Sequence, residues 1–114
     1  MRPYLLIESL NLKVYAKGRD FEIKNGYTCD LLSVVMANCP ENSIWVTVQR
    51  HINIVAVASL REIRAIIISQ GISPEENIIE KSEEEGIWLL GTNDDSFTVS
   101  GKIYNLLKDE KNNG

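Results

Sequence analysis

Two short, continuous apolar runs, Ile44 to Val48 and Ala65 to Ile68, constrain this chain more than any other feature, because they fit strands covered on both faces. Between them lie a polar loop, Gln49 to Asn53, and a segment capped by Asn53 and running to about Ile63. Its Ala56, Ala58 and Ser59 suit a helix that approaches a neighbour closely. Strand, loop, helix and strand in fewer than 30 residues make one βαβ unit, which calls for parallel strands joined by a crossover. The polar residues Gln49, Arg50, His51 and Asn53 then fall where a strand hands over to a helix, the usual place for ligands on open α/β sheets.

The remaining segments extend the same pattern. Pro3 sets the start of a short helix over residues 3 to 11, and Asn11 suits its end. Val14 to Ala16 and Ile23 to Thr28 read as short strands around a loop with Gly18, Arg19 and Asp20, Asn25-Gly26 being a turn or left-handed point. Asp30 is placed to cap a helix over Leu31 to Asn38, which Pro40 stops. Ser73-Pro74-Glu75-Glu76 has the register of a capping box, opening a helix that Gly86 ends. Ile87 to Leu90 is a further apolar strand, and Ser96 begins a last helix with Phe97, Val99, Ile103, Tyr104 and Leu107 on its face. The expected fold is an α/β three-layer domain, a mostly parallel sheet of about four to five strands with helices on both faces. At 114 residues the whole chain, 1–114, is expected to form a single domain, with 108–114 as a frayed tail.

Composition narrows the function classes. The formal net charge is -4, and the acids gather at Glu75, Glu76, Glu80, Glu83, Glu84 and Glu85, so nucleic acid is not an expected partner. No apolar run reaches the roughly 18 residues of a membrane span, and residues 1 to 12 do not read as a signal peptide, which makes the cytoplasm the expected compartment. Cys29 and Cys39 bracket a helix, about 15 Å of rise apart, and are read as free thiols. Neither paired Cys nor a second His offers ligand spacing for a metal, and no cofactor is expected. Gly86 and Gly91 have the spacing of a phosphate-binding loop, but apolar Ile87 to Leu90 fill the interval and Thr92 stands in place of the Lys. Trp45 and Trp88 lie in strands and read as core or interface.

The stretches from Gly26 through Ala37, Gly-Tyr-Thr-Cys-Asp-Leu-Leu-Ser-Val-Val-Met-Ala, and from Ile44 through Ala58 resemble stand-alone DRTGG domain proteins, which are similar to the N-terminal domain of HPr kinase/phosphorylase. The similarity continues through the Ser-Glu-Glu-Glu-Gly-Ile region and the final helix. It implies an HPr kinase N-terminal-domain-like fold and a regulatory, homodimeric module, because kinase chemistry in that enzyme belongs to a separate domain with a phosphate loop. The name-giving motif is degraded: Asp20 and Gly26 remain, with Phe21, Lys24 and Asn25 at the other places. The matching residues Tyr27, Asp30, Ser33, Thr47, Gln49, His51 and Asn53 form the candidate recognition edge for a small anionic or nucleotide-like ligand. The leading expectation is a non-catalytic, ligand-sensing module. Two alternatives stay open: a small hydrolase or transferase using His51 with Asp30, and a pure protein-interaction module.

Overall fold

The apolar runs become the centre of a five-stranded sheet in the computed structural model, which describes residues 1–113. The elements follow in the order α1 (Pro3–Leu10), β1 (Lys13–Ala16), β2 (Asn25–Thr28), α2 (Leu32–Asn38), β3 (Ser43–Thr47), α3 (Asn53–Leu60), β4 (Ala65–Ile68), α4 (Glu76–Glu85), β5 (Trp88–Gly91) and α5 (Ser96–Asn113). The sheet order is β1-β5-β4-β3-β2. Strands β2 to β5 pair in parallel, with Ile44 opposite Ala65 and Ile67 opposite Leu90, whereas β1 adds to β5 antiparallel. Every residue of β3, β4 and β5 is buried, as expected of strands covered on both faces.

Topology decides which helix covers which face. The chain steps from β2 to β3 to β4 to β5 in one direction, so crossovers of one hand place α2, α3 and α4 on the same face. Val35, Ile54, Val55, Ala58 and Ile78 from those helices pack there with Trp45, Ile66, Ile68 and Leu89. The opposite face would remain bare without α1 and α5. Leu6, Val99 and Ile103 cover it, against Ile44, Val46, Ala65, Ile67, Trp88 and Leu90. Both tryptophans lie in the core, and each indole N–H donates to a backbone carbonyl, Trp45 to Cys29 and Trp88 to Arg19, both at 2.8 Å. Burial of that size is therefore obtained without a stranded polar group.

Helix ends show where local signals yield to tertiary partners. Asn11 and Gly86 close α1 and α4 in the left-handed region, as their positions suggest. Asp30 does not cap α2, whose flanking residue is Leu31, and Asn53 lies inside α3 rather than before it. The helix expected from Ser73 starts at Glu76 with Glu75 before it and no capping side chain. Asn25-Gly26 forms no turn, because both residues are drawn into β2 by pairing with Ser43 and Ile44. Helix α5 runs on to Asn113, through the segment expected to fray. Its real cap is Asp95, whose Oδ1 accepts the Thr98 amide at 2.7 Å.

That bond to the Thr98 amide, followed by bonds from the Thr98 hydroxyl and the Phe97 amide, holds the Asp95 carboxyl below its ordinary value near 3.8. A depressed folded-state pKa means that the stabilisation is present above the unfolded value and is lost as pH falls through the folded one. The stability gap between wild type and Asp95→Ala, measured by denaturant unfolding, should therefore be constant from neutral pH to about 5 and close below about 4.

Candidate functional site

The carboxyl ends of β2, β3, β4 and β5 meet at one rim, and the polar side chains there bond mainly to one another. Asp30, just after β2, accepts the Thr47 hydroxyl and the Val48 amide on the same oxygen, each at 2.9 Å. Its backbone carbonyl accepts Gln49 Nε2 at 3.0 Å, while the Gln49 amide donates to Thr47 Oγ1 at 3.1 Å. Thr47 is fully buried, so this clamp satisfies a hydroxyl that would otherwise be stranded. Three of the seven sequence-derived candidates, Asp30, Thr47 and Gln49, are thus brought together, and each is already committed to holding the β2–α2 connection against the end of β3.

The other four do not join them. His51 is exposed and pairs through Nδ1 with Glu75, and Arg50 Nε donates to the Ser73 carbonyl at 2.7 Å, so both tie the β3–α3 loop to the approach of α4. Asp30 and His51 do not bond to each other: Asp30 is held by Thr47 and Val48, and His51 by Glu75. Ser33 and Asn53 are exposed on α2 and α3 with no side-chain hydrogen bond among the described residues. Tyr27 is half-buried against the α2–α3 side of the core. Burial pushes the Cys39 thiol above its ordinary pKa, against smaller opposing effects of Ser43 and Arg61, which disfavours a reactive thiolate; both cysteines are free. Among the described residues no group of three or more His, Cys, Asp or Glu is placed to hold a metal ion.

Recesses lie elsewhere on the surface. Connections after β4 and β5 diverge to opposite faces, which is the geometry that opens a crevice. Here the crevice is zipped by Ser69 to Ser96 (2.6 Å), Gln70 N–H to the Asp94 carbonyl (2.8 Å) and Gly71 N–H to the Thr92 carbonyl (2.9 Å). Beside it remains a polar recess of about 300 Å³ with Lys13, Tyr15, Gly71, Thr92 and Asn93 in its wall. The larger apolar groove, about 420 Å³, runs between α5 and the outer strand β2. Gly26 and Thr28 form its sheet side, and Phe97, Ser100, Gly101 and Tyr104 its helix side.

Phe97 and Tyr104 correct the reading of the last helix. They are 81% and 68% exposed, whereas Val99 and Ile103 are buried. At 100° per residue Phe97, Gly101 and Tyr104 share one stripe, and Val99, Ile103 and Leu106 share another about half a turn away. A surface helix buries one such stripe, so the sequence held the signal for a second, unpartnered face.

Fold and rim together define a three-layer α/β module whose polar edge is cross-tied by its own side chains. A family model for the DRTGG domain matches residues 30–106, and the chain belongs to that family. The solved CBS and DRTGG domains of the regulatory region of Clostridium perfringens pyrophosphatase, complexed with the activator diadenosine tetraphosphate, are similar at TM-score 0.72 and 21% identity. The match covers 86% of this chain and 44% of that one, so this chain spans less than half of the neighbour's length. No curated protein matches. No helix among the described residues is long and apolar enough to cross a membrane.

The Asp30 clamp has a measurable consequence. Asp30→Ala removes the acceptor of two bonds and strands the buried Thr47 hydroxyl, and should lower unfolding free energy by about 2 kcal/mol in urea titrations. His51→Ala, which breaks only an exposed pair, should change it by less than about 0.5 kcal/mol.

Proposed function

We propose that this chain is a non-catalytic regulatory module of the cytoplasm that self-associates and responds to a small nucleotide-like ligand. The observation that carries the reading is its DRTGG family membership, joined to its likeness in fold to a regulatory region bound to a dinucleoside polyphosphate activator. The local geometry is consistent with a binding role. The Asp30 carboxylate and the buried Thr47 hydroxyl bond to each other and to the Val48 amide, and His51 faces Glu75, so these side chains hold the loops of the rim in place. A module of this kind acts by binding its ligand more tightly in one conformation or assembly than in another.

The reading predicts saturable stabilisation without turnover. Thermal unfolding with ATP, GTP and diadenosine tetraphosphate should show at least one ligand raising the midpoint. At a hundredfold excess over Kd the gain is about 2.7 kcal/mol, roughly 10 °C for a chain of this size. Sedimentation equilibrium should show a dimer at micromolar concentration. Turnover of the same compounds that disappears in His51→Ala would replace this reading with the enzymatic one, and a monomer at high concentration would remove self-association from it.

A further inference from the structure

The groove between α5 and β2 has two chemically different ends. We infer that it is a binding site for a nucleoside polyphosphate, with the base and sugar over Gly101 between Phe97 and Tyr104 and the phosphates at Lys24, Lys108 and Lys111. The inference rests on the regulatory reading above and adds to it the place and the chemistry of the site.

The apolar end has the dimensions and the surfaces that a nucleoside requires. Its volume of about 420 Å³ lies in the range of small-ligand pockets, roughly 300 to 1,000 Å³. Two aromatic rings stand bare on one stripe of α5, two helical turns apart, with the Gly101 backbone between them. Apart from its chain neighbours and the helix's own backbone, no atom lies within 4 Å of where a Gly101 Cβ would stand, so the helix surface is open to a flat ring at that point. Aromatic side chains flanking an accessible backbone are a common way to hold a base without reading its sequence. On the sheet side the wall is formed by Gly26, which has no side chain, and by the small Thr28. The Thr28 and Ser100 hydroxyls, 2.6 Å apart and open to solvent, offer donors and acceptors that can re-pair with a base or ribose.

The other end supplies charge. Gly26, Tyr104 and Leu107 belong both to the apolar groove and to an adjoining recess of about 310 Å³ walled by Lys24, Lys108 and Lys111. None of these lysines forms a salt bridge among the described residues. The carboxylates of Glu22 and Glu110, which share the next recess with Lys24 and Lys111, are instead paired with the Met1 amino group. On a chain with formal charge -4, three lysines gathered at the mouth of one apolar slot make a local concentration of positive charge. They complement a ligand that is flat and apolar at one end and strongly anionic at the other.

Calorimetric titration of the full chain with ATP, adenosine and inorganic tripolyphosphate tests this placement. ATP should bind at least tenfold more tightly than either half. Gly101→Leu, which fills the slot and favours the helix, should weaken ATP and adenosine at least tenfold. Lys108→Glu with Lys111→Glu should weaken ATP and tripolyphosphate while leaving adenosine unchanged. Wild-type ATP affinity in both variants, with their folding verified by circular dichroism, would overturn the groove assignment while the regulatory reading stands with its site elsewhere. Failure of ATP, GTP and diadenosine tetraphosphate all to bind the wild type would overturn both. If Phe97→Ser with Tyr104→Ser converts a dimer to a monomer and leaves ATP affinity intact, the groove seats a second copy of the chain and the inference falls.

Discussion

The Asp30 carboxylate is the constraint on which the rim of this module depends. One oxygen receives both the Thr47 hydroxyl and the Val48 amide, and the neighbouring carbonyl receives Gln49. A few residues away the Trp45 indole donates to the Cys29 carbonyl, and the Cys29 amide donates to Val46. The turn from β2 into α2 is therefore bound to β3 by several independent bonds. This matters because β2 is an outer strand of only four residues, paired on one side. The clamp fixes its position, and with it the sheet wall of the groove beneath α5.

The order of the strands explains why the polar loop after β3 is not itself a pocket. Ligand crevices in open sheets arise where neighbouring connections leave for opposite faces. The connections after β2, β3 and β4 all leave for the α2–α3–α4 face, and the first divergence comes between β4 and β5, where backbone bonds close the gap. The proposed binding site lies instead on a surface that the topology leaves unfinished. The most evident is the flank of α5, which must cover the second face from the end of the chain and reaches the outer strand with only part of its apolar surface used.

Much of the fold was legible because it is written in continuous apolar runs. Ile44 to Val48, Ala65 to Ile68 and Ile87 to Leu90 admit few readings other than buried strands, and Gly86 and Asn11 end helices for local reasons. Caps were less legible. Asp30, Asn53 and Ser73 all have the right chemistry for helix starts, yet Asp30 finds better donors on β3, and those donors are brought near only by the tertiary fold. Asn25-Gly26 has the local preference of a turn and is overridden by a parallel partner strand. The candidate residues divide in the same way: proximity of Asp30, Thr47 and Gln49 follows from the parallel register, but their mutual engagement does not. Phe97 and Tyr104 share the hydrophobicity of Val99 and Ile103 but not their angular position on the helix, and only the latter pair is buried. The groove they border requires the helix and the outer strand to be placed together, and no single segment contains it.

A structural edge, at Asp30 and Gln49 to Asn53, is thus distinct from the proposed binding face on α5 and β2. Backbone amide chemical shifts followed during titration of the isotopically labelled chain with ATP address that separation directly. The largest changes should fall on Gly26, Thr28, Ser100 and Gly101, with the amides of Val48 to Asn53 nearly still. Changes concentrated at Gln49 to Asn53, with α5 unmoved, would contradict it and return recognition to the rim after β3.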